Sequence, residues 1–286
     1  MWELFSLINT FARTFYKSDK TELNKLQQKI MTQSKLTDIN GTEIYIEYNN
    51  RFEGRPVIVF LHDSLGCVQL WRDLPAQLSE AAECNFLAYD RSGYGKSGPM
   101  LTHKRPVNYM ELEADFLNEL LTKLNINNAI LFGHSDGGTI ALITAAKYPE
   151  KTKAVVCEAG HIFVEEITLK GVYDAWEAYK TTNLPERLKK YHGDKVETLF
   201  RAWTETWTRE DYRIWNIEYL LKDIKCPLLF IQGQADEYGT LDQVEKTVTQ
   251  VSGPAEKYII PEIGHTPHKE TPELVLKKTT EFIKKL

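Results

Sequence analysis

Short apolar segments alternate with longer amphipathic segments along most of the chain. Each apolar segment is bounded by turn residues, which is typical of strands buried in a parallel sheet. On this pattern we predict strands at residues 57–61, 86–90, 129–132, 154–157, 228–231 and 257–260. Helices are predicted between them, among others at residues 109–124 and 138–147. Such alternation predicts an α/β fold with a doubly wound, mostly parallel sheet and helices on both faces.

A predicted hairpin opens the sheet. Its turn is Asn40-Gly41, the strongest two-residue hairpin signal, because both residues readily take the positive φ that such turns need. After the turn, Ile44, Ile46 and Tyr48 alternate with polar residues, which predicts a half-buried strand.

Residues 1–35 precede this pattern. Trp2, Phe5, Ile8 and Phe15 recur at helical spacing, so a helical N-terminal extension is predicted. Its first helix is too short and too charged to span a membrane, and it lacks the basic start and cleavage site of a signal peptide. Three interpretations stay open: packing on the rest of the chain, a homo-oligomer contact, or an interfacial membrane anchor, which the few basic residues disfavour.

The composition is that of a globular protein. The 286 residues are 42% apolar and 26% charged, and this length permits one large α/β domain with an insertion. A net charge of −5 disfavours nucleic acid and anionic membranes as partners. The four cysteines include no Cys-x-x-Cys pair, so we expect buried thiols rather than disulfides or a zinc site. We also expect a cytoplasmic location.

The candidate chemistry centres on Gly133-His134-Ser135-Asp136-Gly137. This Gly-x-Ser-x-Gly sequence lies between a predicted strand and a predicted helix, where the pattern forms a nucleophile elbow. The elbow exposes the serine and directs the free N–H groups of the helix towards the reaction. The glycines are required because side chains would clash where strand and helix nearly touch. The alternative is a Gly/Ser-rich turn without chemistry.

Two downstream residues complete a candidate catalytic triad. A serine nucleophile needs a histidine base and a carboxylate that orients it. His265 follows the last predicted strand, and Asp236 lies in the loop after strand 228–231, at the edge where α/β sheets build their sites. The chain order Ser135, Asp236, His265 is one of the known orders of a Ser-His-Asp triad.

Together these residues resemble the α/β-hydrolase fold superfamily, and the resemblance runs from about Leu36 to the C-terminus. Residues 57–66 resemble its strand and His-Gly loop, and residues 89–97 resemble its Asp-x-x-Gly-x-Gly-x-Ser loop. Within the superfamily, residues 135–138 (Ser-Asp-Gly-Gly) are similar to the valacyclovirase, or biphenyl hydrolase-like, group of esterases. The resemblance implies a serine hydrolase that uses this triad.

The resemblance also implies an oxyanion hole formed by the backbone N–H groups of Ser64 and Asp136. Asp63 stands where the family usually has glycine, and we expect the loop to form because Asp tolerates unusual backbone angles. Some relatives take the triad acid from the position of Glu158, which therefore ranks second to Asp236.

Other side chains near the site have predicted roles as well. His62 and His134 are expected in structural hydrogen bonds, and His268 is expected in the first turn of the final helix. The side chain of Asp136 has two interpretations. It favours the helix N-terminus electrostatically, or it meets a substrate ammonium group.

In this fold, residues 161–223 are expected to form a helical cap over the site, inserted between the core segments 36–160 and 224–286. This segment is helical in character and holds four of the six tryptophans. Aromatic side chains in such numbers predict an enclosed, partly aromatic pocket for small or medium substrates.

We therefore predict a carboxylesterase-like serine hydrolase that cleaves small or medium ester-type substrates through an acyl-enzyme. The predicted partner is a small-molecule substrate, and the mechanism needs no metal or organic cofactor. The alternatives are a lactonase, a carbon–carbon bond hydrolase of the same fold, or a ligand-binding module with weak turnover.

Overall fold

A computed structural model describes residues 32–286 of the protein. The predicted N-terminal helices lie outside these residues, so the helical extension and its oligomer or membrane contacts stay predictions. Within the described residues the strands are β1 Gln33–Ile39, β2 Thr42–Tyr48, β3 Val57–Leu61, β4 Asn85–Tyr89, β5 Ala129–His134, β6 Thr152–Glu158, β7 Leu228–Gly233 and β8 Ala255–Ile260.

The eight strands form one sheet in the order β1-β2-β4-β3-β5-β6-β7-β8. β2 runs antiparallel to β4, whereas the neighbouring pairs from β4 to β8 are parallel. This confirms the predicted fold class. The predicted turn joins β1 and β2, and its residues Asn40 and Gly41 have φ of 51° and 83°. β1 begins at Gln33, before the predicted core boundary at Leu36.

Helices connect the parallel strands and cover the sheet. They are α1 Leu74–Ala82, α2 Tyr109–Lys123, α3 Asp136–Lys147, α4 Glu166–Thr181, α5 Leu184–His192, α6 Val196–Thr208, α7 Glu218–Leu221, α8 Leu241–Gln250, α9 Pro267–Glu270 and α10 Pro272–Ile283. α3 starts at Asp136 rather than at the predicted Gly138, so the helix begins directly after Ser135.

The sheet separates two hydrophobic cores. Along β3, Val59 and Leu61 belong to one core, and Ile58 and Phe60 belong to the other. Successive strand residues point to opposite faces, so an apolar strand without polar interruption must be covered on both sides. This arrangement explains why the sequences of the central strands are apolar at successive positions rather than at alternate ones.

The prediction for His268 is wrong in one respect. His268 lies in the short helix α9 rather than in the first turn of the final helix α10. Thr271 separates the two helices, with φ of −144° and ψ of 64°. The residue before a proline is disfavoured in helical conformation, so Pro272 starts a new helix.

The segment between β6 and β7 contains the helices α4 to α7 and most of the tryptophans. Trp203, Trp207 and Trp215 are buried in the hydrophobic core. The segment is anchored to the loop after β4. His192 Nδ1 accepts a hydrogen bond from the N–H of Gly95, and Lys195 Nζ donates to three backbone carbonyls of residues 94–97. Its function as a cap stays a prediction.

The cysteines are free thiols, as predicted. Cys67, Cys84 and Cys157 are buried, and Cys226 is half-buried. Among the helices of residues 32–286, none has the length and apolar composition that a membrane crossing requires.

Candidate active site

Ser135 occupies a strained turn between β5 and α3. Its φ of 54° and ψ of −121° lie outside the regions that non-glycine residues favour, as expected of a nucleophile elbow. A Cβ on Gly137 would lie 2.0 Å from the carbonyl oxygen of Leu61, and a Cβ on Gly133 would lie 2.1 Å from that of Gly137. This close approach confirms the steric reason given for both glycines.

The structure brings the three predicted triad residues together. They follow β5, β7 and β8, whose carboxyl ends meet at one edge of the sheet. His265 Nε2 lies 3.0 Å from Ser135 Oγ. His265 Nδ1 lies 2.9 Å from each carboxylate oxygen of Asp236. In this arrangement the imidazole can take a proton from the serine while the carboxylate holds its other nitrogen.

The carboxylate of Asp236 is held from three further directions. Its Oδ2 accepts a hydrogen bond of 2.7 Å from Gln232 Nε2, and its Oδ1 accepts 2.8 Å and 3.2 Å bonds from the N–H groups of Tyr238 and Gly239. Burial raises the pKa of Asp236, but the charge and hydrogen bond of His265, together with the hydrogen bond from the Tyr238 N–H, outweigh burial and leave the pKa below 3.8. The aspartate is therefore ionised and fixed in orientation.

The proton affinity of His265 follows from the same contact. Burial lowers the pKa of His265, but the negative charge and hydrogen bond of Asp236 outweigh burial, so the pKa lies above 6.5. The neighbouring His134 has its pKa lowered by burial to about 3, and burial also lowers the pKa of His161. His265 is therefore set apart from these two histidines as a base that titrates above 6.5.

The loop after β3 lies directly beside the elbow. A Cβ added to Gly137 would lie only 2.9 Å from the carbonyl oxygen of His62, so the loop and the elbow are in contact. His62 Nδ1 donates to the carbonyl oxygen of Asp63 at 2.8 Å, as the resemblance implied for a structural histidine. Asp63 does not take a positive φ, so the loop forms without the unusual backbone angle that we had allowed for. The carbonyl groups of Leu61 and His62 thus lie against the first turn of α3.

Asp136 begins α3, where a backbone N–H has no acceptor within the helix. Its side chain is 1% exposed and is already engaged. Its Oδ2 accepts a 3.3 Å hydrogen bond from the Tyr109 hydroxyl and lies 3.5 Å from Nη2 of the buried Arg91. An ammonium group would have to displace these partners, so the geometry favours the other interpretation, a carboxylate beside a helix N-terminus.

Glu158, the second-ranked acid, is paired with a different histidine. Its Oε1 accepts a 2.6 Å hydrogen bond from the N–H of His268, and its Oε2 lies 2.7 Å from His268 Nδ1. Burial raises the pKa of Glu158, but the charge and hydrogen bonds of His268 leave it below its ordinary value. The geometry therefore favours Asp236 as the acid that orients His265.

A buried polar network lies behind the triad. His134 Nε2 lies 2.8 Å from the carbonyl oxygen of His265, which agrees with the structural hydrogen bond that the resemblance implied. Within residues 32–286, one group of side chains has ligand atoms close enough together to hold a metal ion, all within 4.8 Å of one another: His134, Glu158 and His268. The carboxylate of Glu158 and Nδ1 of His268 already bond to each other, so these two residues act as mutual hydrogen-bond partners.

Sequence reasoning missed several residues that contact the site. Gln232 is the lone polar side chain in the apolar strand β7, and that signal was available. Arg91 lies inside the loop recognised by resemblance, but no role was assigned to it. Tyr109 and His161 carried no local signal, because their contacts with Asp136 and His265 arise only on folding.

Comparison with known proteins agrees with this architecture. Residues 56–210 match the family described as the α/β hydrolase fold. Mouse serine hydrolase BPHL is 27% identical over 238 residues, which cover 80% of this chain and 79% of that protein. A 2-hydroxy-6-oxononadienedioate/2-hydroxy-6-oxononatrienedioate hydrolase from Paraburkholderia phymatum is 25% identical over 270 residues, covering 85% of this chain and 92% of that protein.

A solved structure shows the same fold. The enol-lactonase from Burkholderia xenovorans LB400 has a TM-score of 0.70 at 19% identity, over 87% of this chain and 99% of that chain. The relatives confirm the predicted resemblance, including the likeness to the biphenyl hydrolase-like group. Because the family match spans more than half of the sequence, the chain belongs to the α/β-hydrolase fold family.

Proposed function

We propose that this protein is a serine hydrolase that cleaves an ester bond in a small or medium substrate. The observation that carries the proposal is the placement of His265 between Ser135 and Asp236, at 3.0 Å and 2.9 Å. A serine on a strained turn, a base within hydrogen-bond reach and an orienting carboxylate are together the requirements for acyl transfer.

In the first half of the reaction, Ser135 Oγ attacks the ester carbonyl carbon while His265 Nε2 accepts its proton. The negative charge that develops on the carbonyl oxygen is bound by the N–H groups of Ser64 and Asp136. The imidazolium is stabilised by Asp236. It then protonates the leaving alkoxide, so the alcohol departs and an acyl-enzyme remains.

In the second half, water replaces the alcohol. His265 accepts a proton from the water as its oxygen attacks the acyl carbon, and the same N–H groups bind the oxyanion. Collapse of this intermediate returns the proton to Ser135 and releases the carboxylic acid. One ester and one water thus give one acid and one alcohol.

The segment 161–223 is proposed to act as a cap over this site. Support comes from a chain of aromatic contacts: the ring of Trp207 lies 5.4 Å from that of His161, which lies 5.8 Å from that of His265. Aromatic contacts that run from this segment to the base favour an enclosed site and hence a substrate of limited size.

The relatives supply the second candidate functions. One is named as a dioate hydrolase, and a structural neighbour is named as an enol-lactonase. The same triad serves these reactions, so kcat/KM should be compared across p-nitrophenyl esters, aminoacyl esters, lactones and vinylogous 1,5-diketo acids. Preference for the esters supports the proposal, and turnover of lactones or diketo acids alone contradicts it. Failure of a fluorophosphonate probe to label Ser135 would favour a ligand-binding module.

The pH dependence of kcat/KM tests the base. Protonated His265 cannot accept the proton of Ser135, so activity should be lost as the pH falls through the pKa of His265. Because Asp236 raises this pKa, the midpoint should lie above 6.5. Replacing Asp236 with asparagine should move the midpoint of the residual activity to lower pH. A profile without a rising limb would contradict a histidine base.

A further inference from the structure

The guanidinium of Arg91 contacts both chain segments that are proposed to bind the oxyanion. The side chain of Arg91 is completely buried. Its Nη2 donates a 3.0 Å hydrogen bond to the carbonyl oxygen of Asp63 and lies 3.5 Å from Asp136 Oδ2. Ser64 and Asp136 carry the two N–H groups of the proposed oxyanion hole, so one side chain contacts the neighbourhood of each.

The contact with Asp63 acts on the Ser64 N–H through the peptide bond. The carbonyl of Asp63 and the N–H of Ser64 belong to one planar unit, so holding the oxygen also fixes the direction of the N–H. A hydrogen bond to the carbonyl from a charged donor polarises the same unit and makes its N–H a stronger donor. Arg91 therefore orients and strengthens one oxyanion donor without touching the substrate.

The same peptide oxygen is held by His62, and Arg91 fixes the tautomer of that histidine. The backbone N–H of Arg91 donates to His62 Nε2 at 3.1 Å, so the ring proton must be on Nδ1, which faces the Asp63 oxygen at 2.8 Å. Burial and the charge of Arg91 lower the pKa of His62 well below 6.5, which keeps the ring neutral. Backbone and side chain of Arg91 thus support one peptide together.

The second contact is with the first residue of α3. Among residues 32–286, Asp136 is the carboxylate that forms an ion pair with Arg91. Together with its hydrogen bond to Asp63, this ion pair lets Arg91 link the loop after β3 to the start of α3, and each of these two elements is proposed to supply one N–H. An oxyanion hole needs both donors at hydrogen-bond distance from one oxygen before the reaction begins.

We propose that Arg91 is a positioning residue of the oxyanion hole, which fixes the Asp63–Ser64 peptide and the first residue of α3 relative to each other. This inference rests on the proposed serine hydrolase function. It predicts an effect on transition-state stabilisation rather than on substrate binding.

The test compares Arg91→Lys and Arg91→Gln with Arg105→Lys as the matched control. Arg105 is also buried and, like Arg91, stacks on the ring of Tyr94, but its hydrogen bond goes to the Tyr94 hydroxyl. The measurements are kcat and KM for p-nitrophenyl butyrate, the Ki of phenylboronic acid, and the melting temperature. The boronate forms a tetrahedral adduct with the serine and so reports on the oxyanion hole.

Direct loss of one oxyanion donor costs about 10²–10³ in kcat, so loss of its support should cost about ten- to a hundred-fold in Arg91→Gln. KM should stay nearly constant, and the boronate Ki should rise by a factor similar to the loss in kcat. Arg91→Lys should lose less, and Arg105→Lys should leave the boronate Ki unchanged. Arg91 variants that fold and keep both kcat and Ki would overturn the inference.

Two further results separate this inference from the proposed function. If wild-type protein neither hydrolyses the ester nor binds the boronate at Ser135, the proposed function fails, and the inference fails with it. If the Arg91 variants do not fold, ¹⁵N spectra of wild-type arginine side chains answer the question. The Arg91 signal is identified as the buried guanidinium signal that remains in the spectrum of Arg105→Lys. Boronate binding to the wild-type protein should shift this signal, and an unchanged signal would contradict a role for Arg91.

Discussion

Replacing Ser135 with alanine should remove nearly all ester hydrolysis and leave the protein folded. The hydroxyl is the only part of the side chain that alanine lacks, and its oxygen is the atom 3.0 Å from His265 Nε2. Loss of the nucleophile in a triad costs on the order of a million-fold in kcat, because base and carboxylate act only through it. The measurement is kcat on a p-nitrophenyl ester, with the melting temperature as the test of folding.

Ser252→Ala is the matched control for this loss. Ser252 is exposed, and its hydroxyl donates to the carbonyl oxygen of Lys222 at 2.6 Å, far along the chain from the elbow. This variant should keep wild-type kcat. A fluorophosphonate probe should label wild type and Ser252→Ala but not Ser135→Ala. Turnover of more than a few per cent in Ser135→Ala would show that another residue is the nucleophile.

Much of the fold could be predicted from local patterns because the central sheet is covered on both faces. Strands such as β3 and β5 are then apolar throughout, and the turns between them carry distinct signals. Asn40-Gly41 is one example, since both residues take the positive φ that their types allow. The observed boundaries differ from the predicted ones by only a residue or two. For example, α3 begins at Asp136, because Ser135 has a non-helical conformation and the helix cannot start before it.

The candidate site could be predicted in part because parallel strands deliver their carboxyl ends to one edge. Ser135, Asp236 and His265 each follow such an end, so their proximity followed from topology. Which carboxylate faces His265 did not follow, since Glu158 also ends a strand. The choice depends on side-chain direction: Glu158 is drawn to the buried His268, and that contact has no counterpart in the local sequence.

The environment of Asp136 was beyond sequence reasoning for a related reason. Its partners Arg91 and Tyr109 come from the loop after β4 and from α2, and only packing brings these elements to the start of α3. A carboxylate beside a nucleophile suggests an ammonium site when its partners are unknown. With a buried guanidinium 3.5 Å away, the same carboxylate already has a partner of opposite charge, which disfavours a substrate ammonium there.

Asp236→Asn should lower kcat by about 10⁴ through the wrong histidine tautomer. Two backbone N–H groups, from Tyr238 and Gly239, donate to Oδ1, so the asparagine oxygen should keep that position. Its NH₂ group then replaces Oδ2, where it loses the hydrogen bond from Gln232 Nε2 and donates to His265 Nδ1. The ring proton is forced to Nε2, where the imidazole can no longer accept the proton of Ser135.

Glu158→Gln is the matched control, because the same carboxylate-to-amide change is made at the other candidate acid. It should keep kcat within about tenfold of wild type, since its partner is His268 rather than His265. It should instead lower the free energy of unfolding, on the order of 1–3 kcal/mol, because a buried hydrogen-bonded pair loses its charge. Asp236→Asn removes the charge of a buried hydrogen-bonded pair as well, so the free energy of unfolding should fall in both variants, whereas kcat should collapse only in Asp236→Asn. If Glu158→Gln were the variant without activity, Glu158 would be the triad acid, and the contact between Asp236 and His265 would be structural.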